Sequence, residues 1–367
     1  MVIVFSAATL FAFFMISYPA HAATLKGLGH IVVYDVSADG TTVVGTDYSQ
    51  AVRWTRAGGL NYLDNLPGNL FPITASSVSA DGFVVVGGGP TGSGHVAIYW
   101  TDSTDTERLQ DRIGGGEAIG ATAISADGST IIGSLPSASG REAFAWTAAG
   151  GMVGLGDIPG GALSTLATAV SADGLIIAGN RMHSSAPSGL SFDTVRWSGG
   201  IARAIIPRTG LAADGSSAAA ISGDGKTIVG EVRSATGSYA FRWTETGGLD
   251  VLIDDRYSWA SAASHDGSVI VGAVNDEVFI WTEASGARLL ADVLEHDYGL
   301  DLGDWHFLEA VGISADGKTI VGNGNNGAWI VNIPEPSALT LSLMGCGATC
   351  AVVGIRRTRR SRKQAAN

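Results

Sequence analysis

One decapeptide, Val170-Ser171-Ala172-Asp173-Gly174-Leu175-Ile176-Ile177-Ala178-Gly179, sets the terms for this chain, because versions of it recur from end to end. A Ser-x-Asp-Gly core begins at Ser37, Ser79, Ser125, Ser171, Ser222, Ser264 and Ser314. Eight positions after each serine comes a glycine: Gly45, Gly87, Gly133, Gly179, Gly230, Gly272 and Gly322. A tryptophan then follows each copy: Trp54, Trp100, Trp146, Trp197, Trp243, Trp281 and Trp329. Copies start 42 to 51 residues apart. That period belongs to propellers, solenoids and tandem arrays.

Each copy reads as four short strands. The first ends on the residue before the serine, as at Val36, Ile124 and Ile221. The Asp-Gly pair then predicts a type I′ hairpin turn, with both central residues at positive φ. The second strand holds neighbouring β-branched residues such as Val43-Val44 and Ile131-Ile132. Such pairs point to opposite faces, so both faces of the sheet are expected to be covered. The third is aromatic, as in Phe279-Ile280-Trp281-Thr282, and the fourth follows a Gly-Gly or Ser-Gly turn. Four antiparallel strands with two apolar faces describe a blade stacked between two others.

The ends of the repeat region favour a ring. The seventh copy stops after Trp329-Ile330-Val331 without a fourth strand, while Thr24-Leu25-Lys26-Gly27-Leu28-Gly29 resembles one. A spare strand at one end and a missing one at the other is what closure needs to remove open edges. The predicted fold is therefore all-β, a seven-bladed propeller over residues 23–333. Only Ser285–His296 departs from the pattern, with Leu289, Leu290, Val293 and Leu294 spaced for a short amphipathic helix. Composition agrees: charged residues are 15% of the chain and glycine numbers 52, as many short strands and tight turns require. No cysteine lies within the repeats, so packing alone must hold them.

The two ends read as addresses. Residues 1–22 carry an apolar run and Ala20-His21-Ala22, a small-x-small cleavage site, as in a secretory signal peptide. At 334–367 stand Pro334-Glu335-Pro336, the uncharged run 337–355, and a basic tail with Arg356, Arg357, Arg359 and Arg360. At about 1.5 Å per residue the run spans roughly 28 Å, enough for a transmembrane helix. This three-part ending resembles the PEP-CTERM sorting signal of Gram-negative bacteria. The resemblance implies an exosortase-type sorting enzyme as partner, transient residence in the inner membrane, and delivery to the cell surface or an exopolysaccharide matrix. Without this segment the chain has 16 basic and 33 acidic residues, a net charge of −17 that makes nucleic acid an unfavourable partner.

The Asp-Gly and Trp elements together resemble the HAF repeats of bacterial extracellular proteins. Ala143-Phe144 and Ala240-Phe241 keep part of their His-Ala-Phe triplet, and Gly299–Trp305 looks like the closing unit of such chains. The resemblance implies a secreted β-propeller and brings no catalytic residues with it.

Function is expected on the face opposite the Asp-Gly turns, where connections vary in length and are longest at 180–193 and 294–307. Trp259 and Trp305, the two tryptophans outside the repeated positions, fall there with His306, Asp254, Asp255 and Arg256, and also with His183 and Arg208. Rings beside carboxylates and arginine suit polysaccharide; alternatively both tryptophans cap blade edges. Asp254 with Asp255, or Glu295 with Asp301, would make a glycosidase pair only at a suitable separation. Neither Glu295-His296-Asp297 nor Asp304-x-His306 has the spacing of a zinc or calcium site. The expectation is an exported, non-enzymatic binding or structural module with no cofactor; the alternative is a propeller enzyme acting on extracellular glycans.

Overall fold

The first copy folds into strands Val32–Val36, Thr42–Thr46, Ala51–Thr55 and Gly59–Tyr62, paired antiparallel in that order. The computed structural model describes residues 22–334 apart from 93, 102–105, 110–119, 139, 157–163, 186–188 and 256. Among these residues every copy makes the same four-stranded unit; the third and fourth are joined by one parallel bridge, Arg141 to Ser164. The seventh unit has Phe307–Ile313, Thr319–Gly324 and Gly327–Asn332 from its own copy. Its fourth strand is Thr24–Gly29, which pairs antiparallel with Gly327–Asn332 so that Leu25 faces Val331 and Gly27 faces Trp329.

A bulge governs the inner strand of every unit. Register shifts between Val33 and Asp35, between Ala167 and Ala169, and at the equivalent place in the other five copies. The extra residue curls the inner strand onto its neighbour. There the repeat glycine is obligatory: a Cβ on Gly179 would meet the Leu166 carbonyl oxygen closer than 3.0 Å, and all seven glycines face the carbonyl five residues before their serine. The obstruction is main chain, which cannot swing aside.

The Asp-Gly turns differ from expectation. Only the glycines have positive φ, from 69° to 76°, and each glycine N–H bonds back to the serine carbonyl. This is a type I turn followed by a left-handed glycine, not type I′, so the aspartate stays in ordinary backbone space. The aspartate acts through its carboxylate. It accepts the serine hydroxyl at 2.5–2.9 Å. It also accepts a main-chain N–H two residues on at 2.9–3.1 Å. The serine oxygen in turn accepts the N–H five residues on, at 2.9–3.0 Å, which starts the second strand.

These turns also join neighbours. Ala80 N–H donates to the Ala126 carbonyl at 2.9 Å, Ala172 to Gly223 at 2.8 Å, and His265 to Ala315 at 3.0 Å. Ala315 donates to Ala38 at 2.9 Å, so the last copy bonds to the first. Deeper in, Asn323 grips both polar groups of Val33, accepting its N–H at 3.0 Å and donating to its carbonyl at 3.2 Å. Asn180 does the same to Ala218 across another junction. The units therefore follow one another in a propeller-like arrangement, with buried apolar clusters between them.

Trp329, Trp100 and Trp197 are each buried in an apolar cluster, whereas Trp146 and Trp243 are only partly buried. Some repeat tryptophans take a partner from the preceding unit: Arg242 lies over Trp281 at 4.4 Å, and Tyr99 tilts against Trp146 with centroids 6.2 Å apart. The expected helix starts late. Gly286–Leu289 completes the sixth sheet, and the helical stretch runs from Leu290 to Asp297, burying Leu290, Val293 and Leu294. Among the described residues no helix is long and apolar enough to cross a membrane; the expected span 337–355 lies outside them.

Gly179→Ala is expected to destabilise by at least about 1–3 kcal/mol in urea unfolding. Gly92→Ala, where a Cβ meets nothing within 4 Å, should be near neutral. Equal effects would refute the close-approach account. The pH dependence has two opposed parts. Serine hydroxyl bonds hold the Asp81, Asp127 and Asp173 carboxyls below their usual 3.8, so their contribution is present above that pH and is lost as pH falls through the lowered values. Burial pushes Asp35 up to about 6 despite bonds from Ser77, Val78 and Val36, so its contribution is full below 3.8 and fades as pH rises through about 6. Carboxyl NMR titration should place the midpoints on opposite sides of 3.8.

Candidate functional site

Antiparallel order sorts the connections onto two faces. Asp-Gly turns and third-to-fourth turns share one; second-to-third turns and unit-to-unit connections share the other. On the second, variable face the structure separates the residues named from sequence into two groups. Asp254 and Asp255 are exposed in the connection into the sixth sheet, where Asp255 accepts Asn275 Nδ2 at 3.2 Å. Arg256 between them and Trp259 lies outside the described residues. Trp259 itself is on the inner strand Ser258–Ala263, in the register that Val32, Leu166 and Glu309 hold elsewhere. It therefore belongs to the repeat after all, as a part-exposed side chain at the rim.

Trp305 lies in the segment that leads into the seventh sheet. Its ring edge lies about where a Cβ on Gly27 would project, at 3.0 Å, and it packs on the cluster of Leu290, Leu294 and Phe307. Here the edge-capping alternative is the better description. His306 beside it is exposed, its N–H held by Asn325 Oδ1 at 2.9 Å, while Asn325 Nδ2 reaches the Asp304 carbonyl at 2.6 Å. Asp297, in the Glu295-His296-Asp297 run, is clamped by Arg288 at 2.5 and 3.0 Å. Of the sorting residues, Pro334 is the last one described, and Glu335, Pro336, Arg356, Arg357, Arg359 and Arg360 lie beyond.

The segment 180–193, read from sequence as a loop, is a hairpin extension: strands Ile176–Ser185 and Gly189–Ser198 carry the fourth sheet outward. At its base sits Asp193, with a side chain only 6% exposed. Arg181 Nη2 and Arg208 Nε each reach it at 2.6 Å, and His183 Nε2 at 3.2 Å. Burial is the largest single influence on Asp193 and works upward, yet the bonds from Arg181 and Arg208 together hold the carboxyl below 3.8. Ser191 nearby completes a serine–histidine–aspartate set in name only. Its hydroxyl donates to the Asp214 carbonyl at 2.6 Å and accepts from Arg208 Nη2 at 2.7 Å, while His183 Nε2 contacts Arg208. Among the described residues these contacts occupy the oxygen, and the set ties the hairpin to the next connection.

Sequence reasoning missed a row of tyrosines along the variable edge of the first sheet. Tyr34 is the bulge residue of the inner strand, Tyr48 tips the second-to-third turn at φ 71°, and Tyr62 ends the outer strand. They are 42%, 74% and 55% exposed, large values for aromatic rings. Burial chiefly raises the Tyr34 pKa, and the proximity of Tyr48 and Glu309 raises it further. Interaction with the nearby Asp47 carboxylate raises the Tyr62 pKa too. None of the three occupies a motif position, so only their convergence in the fold could reveal them.

No family model matches the chain, and no curated protein matches it in sequence. Solved structures do resemble it in fold. A hydrazine synthase chain from Kuenenia stuttgartiensis superposes with a TM-score of 0.52 at 16% identity, covering 86% of this chain and 98% of that one. TolB from Acinetobacter baumannii gives 0.46 at 13% identity over 71% of this chain, and the match spans 63% of the TolB chain. At these identities the hydrazine synthase likeness speaks for the propeller-like fold alone.

Asp193→Asn should destabilise by about 3 kcal/mol in urea, since it leaves Arg181 and Arg208 without their counter-charge. Lys226→Ala, at a side chain 80% exposed, should stay within about 0.5 kcal/mol. A neutral Asp193→Asn would mean the cluster does not pin the hairpin.

Proposed function

We propose that the chain is a seven-bladed β-propeller that is exported and works without catalysis, as a binding module of the cell surface or exopolysaccharide matrix. In this reading the signal peptide directs export. An exosortase-type enzyme acts at Pro334-Glu335-Pro336 while the chain is held in the inner membrane. The observation that carries the binding role is the contrast between faces. One is locked by seven copies of the same Ser-Asp network; the other carries varied connections with exposed rings and acids, including Tyr48, Tyr257, Asp254 and Asp255. A rigid ring beneath variable connections is how binding surfaces are commonly built. Exposed rings beside carboxylates and hydroxyls suit sugars, which offer apolar ring faces for stacking and hydroxyls for hydrogen bonds.

A glycan array tests binding, and a reducing-end assay on the same sugars tests turnover; sugar release would replace this reading with the glycan-enzyme one. Trp259→Ala should weaken retention of a bound glycan with little change in melting. Trp305→Ala should lower both retention and melting temperature, because that ring also packs on the seventh sheet. Trp329→Ala, at a fully buried site, should cost about 3–5 kcal/mol of stability. Mass spectrometry of the mature protein should find a start near Ala23 and no peptide from 356–367; recovery of that peptide from secreted protein would overturn the sorting proposal.

A further inference from the structure

We infer that Tyr34, Tyr48 and Tyr62, with the carboxylates of Asp47 and Glu309, form a sugar-contact subsite on the variable face that takes neutral or amino-sugar polymers and turns away uronic-acid polymers. The inference rests on the binding role proposed above and assigns it a place and a ligand chemistry.

Placement is the first argument. The three rings come from the inner strand, the second-to-third turn and the outer strand of one sheet, so they run from the inner to the outer edge of that unit. With strands about 4.8 Å apart, inner and outer strands are separated by roughly 14 Å, more than one sugar ring is wide. A row of this length meets consecutive units of a chain rather than one monosaccharide.

The backbone that carries the rings is also held in place. The Tyr34 strand is clamped by Asn323, which bonds both polar groups of Val33 and donates to Glu309 Oε1 at 2.8 Å. The Tyr48 turn is braced by Asp47, whose Oδ1 accepts the N–H groups of Ser49 and Gln50 at 2.9 and 2.8 Å. Gln50 Nε2 in the same turn donates to the Leu63 carbonyl at 2.8 Å, which ties the turn to the end of the outer strand. Tyr48 stands at positive φ, a conformation that only surrounding structure sustains in a residue of this size. A backbone fixed before binding leaves only side-chain freedom to be lost when a ligand stacks on the rings.

Charge then selects the ligand. Asp47 and Glu309 supply carboxylates at two points of the row. Hydroxyls and ammonium groups can donate to these oxygens, whereas a carboxylate on every ligand sugar would meet like charge.

The test is calorimetric titration of the full chain with hexamers of glucose, glucosamine and galacturonic acid. Binding to the glucose or glucosamine hexamer, with none to galacturonate, is expected. Tyr48→Ala with Tyr62→Ala should weaken that binding about tenfold, and Tyr48→Phe with Tyr62→Phe should retain most of it because the rings remain. Unchanged melting of these exposed-site variants would separate binding loss from unfolding. If the alanine pair binds like the parent while Trp259→Ala loses affinity, the variable face binds but the tyrosine row does not, and the inference fails alone. Galacturonate bound as tightly as the others would refute the charge argument. If the parent binds none of the three and nothing on a glycan array, the binding role itself falls, and this subsite with it.

Discussion

The whole assembly depends on a contact between two stretches of main chain. At each bulge the inner strand bends until a carbonyl oxygen occupies the space a side chain would need on the next strand, so glycine is the residue that fits. The bend turns the N–H and C=O of the neighbouring residue away from its own sheet, toward the preceding unit. Asn323 and Asn180 collect both groups at two junctions. Side-chain hydroxyls do the work elsewhere: Thr122 bonds the Ala167 carbonyl at 2.8 Å and Ser261 the Ala310 carbonyl at 2.6 Å. Without the bulge these backbone groups would not be presented to a neighbour. The local distortion and the cohesion between units are one device.

The Ser-Asp turns complete it on a single face, which is why the two faces differ in character. A turn that must satisfy a serine hydroxyl, a carboxylate and two main-chain N–H groups, and then fit its glycine against a neighbouring side chain, has little room for change. Gly40 fits in this way against Thr319, and Gly82 against Thr42. The opposite connections carry no such obligations. They include an outward hairpin fixed by Asp193, a helical stretch over the sixth sheet, and the Asn275-Asp276 turn with both residues at positive φ.

Much of the fold was legible because its information is local and repeated: strand limits, turn positions and the spare strand at Thr24–Gly29 all follow from the period. The purpose of the repeat glycine was not legible, because it concerns a carbonyl thirteen positions earlier, brought close only by the bulge. The turn type was misjudged because Asp-Gly is equally at home in a type I turn when a serine two residues earlier captures the carboxylate. The 180–193 hairpin was hidden by small and polar residues that alternate weakly. At the candidate site, Trp305 was singled out for being outside the repeated positions, yet apolar packing claims it. The tyrosine row escaped notice because its members are 14 residues apart at each step and share no motif.

The strand that completes the seventh sheet has a consequence for how the chain is made. Thr24 pairs with Asn332, so among the described strands the first to be made is the last to find its partner. At synthesis rates of about 5–20 residues per second, it waits roughly 15–60 s with its edge unpaired while the sheets between are built. Contacts of such sequence separation also form slowly for reasons of loop entropy. The strand is suited to that interval. Thr24-Leu25-Lys26-Gly27-Leu28-Gly29 is short, carries a lysine, and has two glycines that weaken its own tendency to pair. The same composition that makes it a modest strand makes it a safe one to leave waiting beside other nascent chains.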